Sequence, residues 1–213
     1  MDIILFGMQG SGKGTQGKIL AEKYGLRFFE MGGALRSIIA SGTELGNKIK
    51  STVESGNLVS DEIVMEVLEN FLVNEAKEQN VLFDGIPRTM NQAEKLLALL
   101  SSHSRDAFAL HIKISESEAI RRLTSRRICI DCKEVYPAFF KGGICSACGG
   151  QLISRTDDSN LDSIHQRLRN FETETLPVIE LFYKRDRLIE VDGEQDIPDV
   201  TEEMIDKASY LFL

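Results

Sequence analysis

Residues 7–15 have the sequence Gly7-Met8-Gln9-Gly10-Ser11-Gly12-Lys13-Gly14-Thr15. An apolar run at residues 2–6 precedes them, and helical spacing of apolar residues follows as far as Tyr24. Glycines let backbone N–H groups turn toward an anion where side chains would clash, and the N-terminus of a following helix favours negative charge there. Lys13 adds a full positive charge. These residues therefore predict a phosphate-binding loop between a strand and a helix, rather than a plain tight turn.

This loop departs slightly from the common G-x-x-x-x-G-K-[ST] pattern. Gly14 stands between Lys13 and Thr15, so the hydroxyl group of Thr15 is shifted from the position that binds Mg²⁺ in the simplest form of the motif. We expect Lys13 to lie at the β- and γ-phosphates of a nucleoside triphosphate.

Alternating apolar patterns predict the fold. Strands are predicted at residues 2–6, 27–30, 81–83, 107–114 and 188–191. Helices are predicted at residues 12–24, 61–77, 92–100, 115–127, 161–185 (kinked at Pro177) and 200–211. Strands that alternate with helices predict an α/β fold of P-loop NTPase type, with a parallel five-stranded sheet flanked by helices.

Two segments interrupt this alternation. Residues 32–56 have the pattern of two short helices with a break near Ser41 and Gly42, and residues 125–160 contain every cysteine of the chain. Residues 30–59 and 125–160 are predicted to be insertions on a core formed by residues 1–29, 60–124 and 161–213.

The four cysteines form two pairs, Cys129-x2-Cys132 and Cys145-x2-Cys148, with twelve residues between the pairs. Four thiolates on two short hairpins suit a tetrahedral site, which Zn²⁺ favours, and no histidine or open ligand position lies among them. The pattern predicts a structural zinc site in a loop too small to be stable by core burial alone. Iron in the same site, reduced thiols and a redox pair are the alternatives.

Composition excludes several classes of protein. The chain has 213 residues, 42% of them hydrophobic, which is enough for one globular domain with a sizeable insertion. Its 25 basic and 33 acidic side chains give a net charge of −8, which argues against broad binding to nucleic acid or to anionic membranes. No apolar run approaches the ~18 residues that span a bilayer. The N-terminus shows no basic leader, so a cytoplasmic protein is expected.

Further short strings follow the loop in a recognisable order. They are Gly12-Lys13-Gly14-Thr15-Gln16, Leu35-Arg36, Gly56-Asn57-Leu58-Val59-Ser60-Asp61, Asp84-Gly85-Ile86-Pro87-Arg88-Thr89, Gln92-Ala93, Ser125-Arg126-Arg127, the cysteine pairs, Arg155-x-Asp157-Asp158, Arg167-Leu168 and Val191-Asp192-Gly193. With these strings the chain resembles, over nearly its whole length, the adenylate kinases, a family of nucleoside monophosphate kinases. The four cysteines resemble those of the bacterial type with a zinc-stapled lid.

The resemblance implies reversible transfer of a phosphoryl group from ATP, bound with Mg²⁺, to AMP, giving two ADP and maintaining the balance of adenine nucleotides. It implies ATP contacts by Gly10, Ser11, Gly12, Lys13, Gly14, Thr15, Arg122, Arg126, Val135, Tyr136 and Gln195. It implies AMP contacts by Met31, Arg36, Asn57, Leu58, Val59, Gly85, Ile86, Pro87, Arg88, Gln92, Arg155 and Arg167. The implied catalytic residues are Lys13, Asp84, Arg88, Arg126, Arg155 and Arg167, with Asp84 holding the hydration shell of Mg²⁺.

The resemblance also gives the two insertions a task and implies a monomer. Residues 30–59 would bind and cover the monophosphate, and residues 125–160, stapled by zinc, would form a lid over ATP. Closure of both would keep water from the transferring group. Clustered arginines suit such a site because each planar guanidinium binds phosphate oxygens in pairs and stays charged.

Three residues depart from the pattern of the family. Gln9 replaces the usual proline, from which we expect only a looser loop. Met31 replaces a small polar residue beside the base of the monophosphate, and Gly33 removes a carboxylate that usually supports the water shell of the metal. Altered base selectivity or weaker Mg²⁺ placement is therefore expected, with neutral drift as the alternative.

Three other functions fit the sequence less well. A UMP/CMP-type kinase is disfavoured by Gln92, although Met31 leaves it open. A zinc-ribbon NTPase that binds nucleic acid is disfavoured by the net charge and by the scarcity of aromatic residues. A kinase acting on a metabolite other than a nucleotide is disfavoured by the full set of strings.

Overall fold

The computed structural model describes residues 1–76, 79–137, 140–155, 158 and 160–212. Its strands are β1 (Asp2–Phe6), β2 (Arg27–Glu30), β3 (Val81–Asp84), β4 (Ala107–Lys113), β5 (Arg127–Cys129), β6 (Val135–Tyr136), β7 (Leu152–Ser154) and β8 (Leu188–Asp192). Its α-helices are α1 (Lys13–Tyr24), α2 (Met31–Ala40), α3 (Glu44–Glu54), α4 (Asp61–Glu75), α5 (Met90–Ser102), α6 (Glu116–Ser125), α7 (Leu161–Asn170), α8 (Leu176–Tyr183) and α9 (Ile197–Ala208).

The central sheet has the strand order β2-β3-β1-β4-β8, and every neighbouring pair is parallel. The predicted α/β fold with a five-stranded parallel sheet is thereby confirmed. Because parallel strands share a carboxyl edge, the loops that follow β1, β2 and β3 meet on one side of the molecule. Asp84, the last residue of β3, pairs in register with Leu5 and with Glu30.

The core lies on both faces of this sheet, as the alternation along β1 shows. Ile4 and Phe6 pack in a cluster with residues of α4, α5 and α8, whereas Ile3 and Leu5 pack with residues of α1 and α9. All four side chains are buried, and each contributes about 1.5–3 kcal/mol by leaving water. A rigid β1 therefore supports the phosphate loop that follows it.

The segment with the cysteines forms its own small antiparallel sheet, in the order β6-β5-β7. This sheet begins directly after α6. The helix predicted at residues 115–127 ends earlier than expected, at Ser125, because Arg127 belongs to β5 and pairs with Tyr136 and Ser154. Within the described part of the chain, no helix is both long and apolar enough to cross a membrane.

The long helix predicted at residues 161–185 is helical without a gap from Leu161 to Tyr183, but it is not a regular α-helix throughout. A π-helical turn, Phe171–Thr175, separates α7 from α8, and the N–H of Leu176 bonds to the carbonyl of Phe171. Pro177 lies in the first turn of α8, where its missing N–H group is not required. The turn directs Thr175 toward the site, since its hydroxyl donates to the carbonyl of Arg88 at 3.1 Å.

Smaller differences concern helix ends. The helix predicted at residues 200–211 begins at Ile197, because Asp196 and Pro198 suit the start of a helix, and it ends at Ala208 before a 3₁₀ turn, Ser209–Phe212. The helix predicted at residues 92–100 extends over Met90–Ser102, with Thr89 as its N-cap. The predicted end of the helix at residue 77 lies outside the described residues.

Candidate active site

The phosphate loop forms between β1 and α1, as predicted. Gly10 and Gly12 have φ angles of 88° and 95°, a left-handed conformation that glycine adopts without strain. Lys13 turns back into the loop, and its Nζ donates to the carbonyls of Gly7 at 2.7 Å and Met8 at 2.9 Å. Burial lowers the pKa of Lys13 to about 8, because the ammonium has lost most of its hydration. A phosphate that takes over these contacts would favour the charged form.

Asp84 faces Lys13 from the end of β3. Its side chain is buried, and burial raises the pKa of its carboxyl group, while the charge of Lys13 opposes that rise. A buried carboxylate beside a phosphate loop provides the oxygen ligands that Mg²⁺ prefers in proteins, directly or through its water shell. The donor chemistry at Asp84 therefore fits a magnesium ion.

Arg88 is fixed by its surroundings in the loop after β3. Its Nε donates to the carbonyl of Gly85 at 3.1 Å, and its backbone N–H donates to Oε1 of Gln92 at 2.7 Å. Burial lowers the pKa of Arg88, and the charges of Arg36 and Arg167 act in the same direction. The charges of these three guanidinium groups therefore repel one another, and an incoming anion would offset that repulsion.

Gln92 has a structural task. Its side chain is buried, Oε1 accepts from Arg88, and Nε2 donates to Asp61 at 2.7 Å. The amide thus connects the Arg88 loop to the start of α4. The predicted contact of Gln92 with an adenine edge stays a prediction.

On the side of β2, Arg36 forms an ion pair with Glu30, with 2.7 Å between Nη2 and Oε1. Met31, at the start of α2, is buried in the core cluster on the α4 face of the sheet. Val59 is buried in the same cluster, whereas Asn57 is exposed and donates to Ser55.

Asp158 joins two of the predicted arginines. Its Oδ2 accepts from Nε of Arg126 at 2.8 Å, and its Oδ1 accepts from Nη2 of Arg167 at 2.8 Å. The side chain of Asp158 is 2% exposed, so two cations and one anion are fixed together in a buried position. Asp157, of the same sequence string, lies outside the described residues.

Arg122, on α6, reaches the phosphate loop. Its Nη2 donates to the carbonyl of Gly193 at 2.8 Å, and its Nη1 lies 3.4 Å from the carbonyl of Gly10. Glu118 holds its Nε at 2.6 Å. Arg122 therefore lies beside the phosphate loop, and its predicted contact with ATP stays a prediction.

The thiols of the small sheet meet at one point. Ligand atoms of Cys129, Cys132, Cys145 and Cys148 all lie within 4.8 Å of one another. The Sγ–Sγ distances are 3.4 Å for Cys129 and Cys148 and 3.5 Å for Cys132 and Cys145. Ligands at ~2.3 Å from a tetrahedral Zn²⁺ have comparable separations, so the cluster fits that ion.

Tyr136 belongs to this cluster. Its ring is buried against Phe140, and its hydroxyl lies 3.2 Å from Sγ of Cys145 and 2.9 Å from Oγ of Ser146. The hydrogen bond from Tyr136 lowers the pKa of the Cys145 thiol to about 6, which favours the thiolate that binds metal. The hydroxyl of Tyr136 is thus already hydrogen-bonded within the cysteine cluster, and the predicted contact of Tyr136 with ATP stays a prediction.

A cavity of about 30 Å³ joins the two sides of the cleft. Its lining includes Lys13 from the phosphate loop and Gly85, Pro87 and Arg88 from the loop after β3. Thr175 closes it from the π-helical turn. The phosphate loop and the loop after β3 therefore line one cavity.

Comparison with known proteins agrees with this geometry. A family model described as Adenylate kinase matches residues 5–187. The chain belongs to the adenylate kinase family. It is similar to adenylate kinases of Paramagnetospirillum magneticum (37% identical; 94% of this chain and 95% of the relative), Archaeoglobus fulgidus (36%; 96% and 96%) and Acetivibrio thermocellus (34%; 98% and 98%). The predicted resemblance is confirmed over nearly the full length of both chains.

Within this adenylate kinase family member, two predicted ATP contacts are placed apart from the cavity lining. Val135 is 39% exposed on the small sheet. The amide of Gln195 lies in the turn after β8 and donates to Asp192 and Glu203. Their roles stay predictions.

Sequence reasoning assigned no role at this site to three residues: Gln9, which lines the cavity, Glu30, which pairs with Arg36, and Asp158. The position of Asp158 between Arg126 and Arg167 was signalled by the string that contains it. The signal for Glu30 was Gly33. The family usually has a carboxylate at position 33, and in this chain Glu30 provides one three residues earlier.

Proposed function

We propose that this chain transfers the γ-phosphoryl group of ATP to AMP and forms two ADP. The convergence of buried cations on one cleft supports this best: Arg88 and Arg126 both lie close enough to Lys13 for their charges to lower its pKa. Phosphoryl transfer requires little covalent chemistry from the protein. Positioning and neutralisation of spread anionic charge are the main contributions, and fixed cations provide both.

On the ATP side, we propose that the backbone of Gly10–Thr15 holds the β- and γ-phosphates, with Lys13 exchanging its carbonyl partners for phosphate oxygens. Arg122 and Arg126 would reach the same phosphates from the start of the lid. The α1 N-terminus supports the negative charge, because its free N–H groups point at the anion.

On the AMP side, we propose that Arg36 and Arg88 bind the acceptor phosphate. Arg88 is held at its Nε and its backbone N–H, which leaves both terminal nitrogens directed by a fixed loop. Arg155 and Arg167 would bridge the two nucleotides. Residues 57–59 and 85–87 would line the acceptor site with backbone groups.

Two metal ions belong to this proposal. Asp84 would hold Mg²⁺ through its water shell, and that ion would add positive charge to the triphosphate. The four cysteines would hold a structural Zn²⁺ in the lid. In this proposal, no residue that holds a metal ion has to transfer a proton.

Each of the two insertions has its own task in this proposal. We propose that residues 30–59 cover the monophosphate and that residues 125–160 cover ATP as a lid, on a core of residues 1–29, 60–124 and 161–213. A monomer in the cytoplasm, without nucleic-acid or membrane partners, is the expectation from the resemblance and the net charge.

A coupled assay with ATP and each of AMP, UMP, CMP and GMP tests the function. AMP should be the preferred acceptor, and Arg88→Met should reduce turnover by about 100-fold or more. Arg169→Met is a matched control, because Arg169 bonds to Gln166 on its own exposed helix face. Turnover with UMP or CMP far above AMP would favour the second candidate, a kinase of altered base selectivity, to which buried Met31 directs attention.

A further inference from the structure

The side-chain amide of Gln9 stands out in the phosphate loop. Its Oε1 is buried, and none of the described residues offers it a hydrogen bond. Buried polar side-chain atoms almost always have a partner, so each exception calls for an explanation. The sequence suggested only that Gln9 loosens the loop, and that expectation does not account for an amide turned inward.

The position of this amide suggests the explanation. Gln9 lines the cavity that Lys13 shares with Gly85, Pro87 and Arg88. It is the only uncharged amide among the described lining residues, and it lies between the loop proposed for ATP and the loop proposed for AMP. The walls beside it include Phe6 and Phe171, which provide no polar partner.

Such a site has room for a polar ligand atom. A cavity of about 30 Å³ exceeds the ~10–15 Å³ that one water requires. Lys13 occupies the phosphate position by bonding to Gly7 and Met8, and a bound phosphate would draw it away. The phosphoryl group would then stand beside the Gln9 amide.

We propose that Gln9 is a catalytic residue whose carboxamide donates a hydrogen bond to the phosphoryl group as it passes between the nucleotides. The proposal rests on the proposed function. The buried atom of the amide is Oε1, and a half-turn about the terminal carbon–carbon bond brings the amide nitrogen to that place, where it can donate. No bond to Gln9 forms or breaks: the P–O bond to ADP breaks as the P–O bond to AMP forms.

A neutral donor has a particular advantage at this point. Lys13, Arg88 and Arg126 already bind charge through the ground state, whereas an amide in the middle of the path contacts the group only in transit. Interactions made mainly in the transition state raise kcat rather than lower KM. Loss of this donor should therefore appear in kcat.

Two near-isosteric variants test the assignment. Gln9→Met keeps the length of the side chain and removes the donor, and we expect kcat to fall about tenfold with both KM values within about threefold. Gln9→Glu places a negative charge against the phosphoryl oxygens and should lower kcat about 100-fold. Gln79→Met is the matched control on an exposed residue and should leave kcat unchanged.

Two further measurements distinguish a direct contact between Gln9 and the phosphoryl group from a purely structural role of Gln9. Gln9→Met removes a buried acceptor without a partner, so its Tm should rise, by about 2–4 °C, while its activity falls. Binding of a planar aluminium fluoride complex with ADP and AMP should weaken about tenfold, whereas ADP alone should bind with unchanged affinity.

A failure of the Gln9 proposal can be distinguished from a failure of the proposed function. A wild-type enzyme without AMP-dependent turnover would overturn the proposed function. With an active wild type, the Gln9 proposal is overturned if Gln9→Met retains full kcat, or if Gln9→Glu and Gln9→Met behave alike.

Discussion

Glu30, the last residue of β2, forms an ion pair with Arg36 in α2, with Nη2 donating to Oε1 at 2.7 Å. The other carboxylate oxygen of Glu30 lies over Gly33, where a Cβ atom would stand only 3.2 Å from Oε2. The charge of Glu30 also acts on Lys13 and Asp84. Where β2 meets α2, the carboxylate is thus provided by Glu30, and the absence of a side chain at Gly33 leaves space for it.

Restoring a carboxylate at position 33 should therefore be harmful unless Glu30 is removed. Gly33→Asp brings two like charges within a few ångströms, so Tm and kcat/KM for AMP should both fall, the latter about tenfold. Glu30→Ser combined with Gly33→Asp should recover kcat/KM to within about threefold of the wild type. Strictly additive effects in this double-mutant cycle would show that the two positions are independent.

Asp158 should support both stability and catalysis. Asp158→Asn removes the buried carboxylate that Arg126 and Arg167 share, so the free energy of unfolding should fall by about 3–5 kcal/mol. The kcat should fall with it, because both arginines lose their orientation. Denaturant unfolding and steady-state kinetics check this, with Asp206→Asn on exposed α9 as the control. Equal stability of both variants would contradict the buried triad.

Binding of phosphate should drive proton uptake by Lys13. At pH 8 about half of the buried Lys13 side chains are neutral, and a bound phosphate favours the ammonium, so protons are taken up on binding. By the same sign, nucleotide affinity should fall as pH rises above 8. Calorimetry with ATP at pH 8 in buffers of different ionisation enthalpy should give uptake of about half a proton per chain. Lys13→Met should abolish it, and proton release by the wild type would contradict this account.

Removal of metal should loosen the small sheet first. After treatment with a chelator, amide hydrogen exchange in β5 and β7 should accelerate while exchange in β1 and β4 stays slow, because only the small sheet depends on the thiolates. Tyr136→Phe should weaken zinc binding about tenfold by removing the hydroxyl at Cys145, and Tyr183→Phe on α8 should not. An exchange pattern unchanged by the chelator would argue against a structural metal.

Regular local patterns made much of the fold predictable. The buried run in β1, the glycines before Lys13 and the spacing of the cysteines are local signals, and each led to the element or cluster observed. The π-helical turn was not predictable, because it depends on packing of Phe171 and on the bond from Thr175 to Arg88 across the fold.

The site was predictable only where a motif contains it. Lys13, Asp84 and Arg88 lie in recognised strings, and so do Gly85 and Gln92, which hold Arg88. The strings do not show which of their residues pair with one another. Glu30 pairs with Arg36 only six residues on, and Asp158 pairs with Arg167 nine residues on, but Asp158 also pairs with Arg126 across 32 residues. That last pairing follows from tertiary geometry, which a local window of sequence does not contain.

The central claim is that two nucleotide sites share one enclosed cleft. Calorimetric titration with a dinucleotide of two adenosines joined by five phosphates tests it most directly, with ATP and AMP each added as a competitor. We expect one dinucleotide per chain, displaced in competition with either nucleotide, and binding weakened by Lys13→Met and by Arg88→Met. Competition by only one nucleotide, or an Arg88→Met variant that binds as tightly as the wild type, would contradict the account.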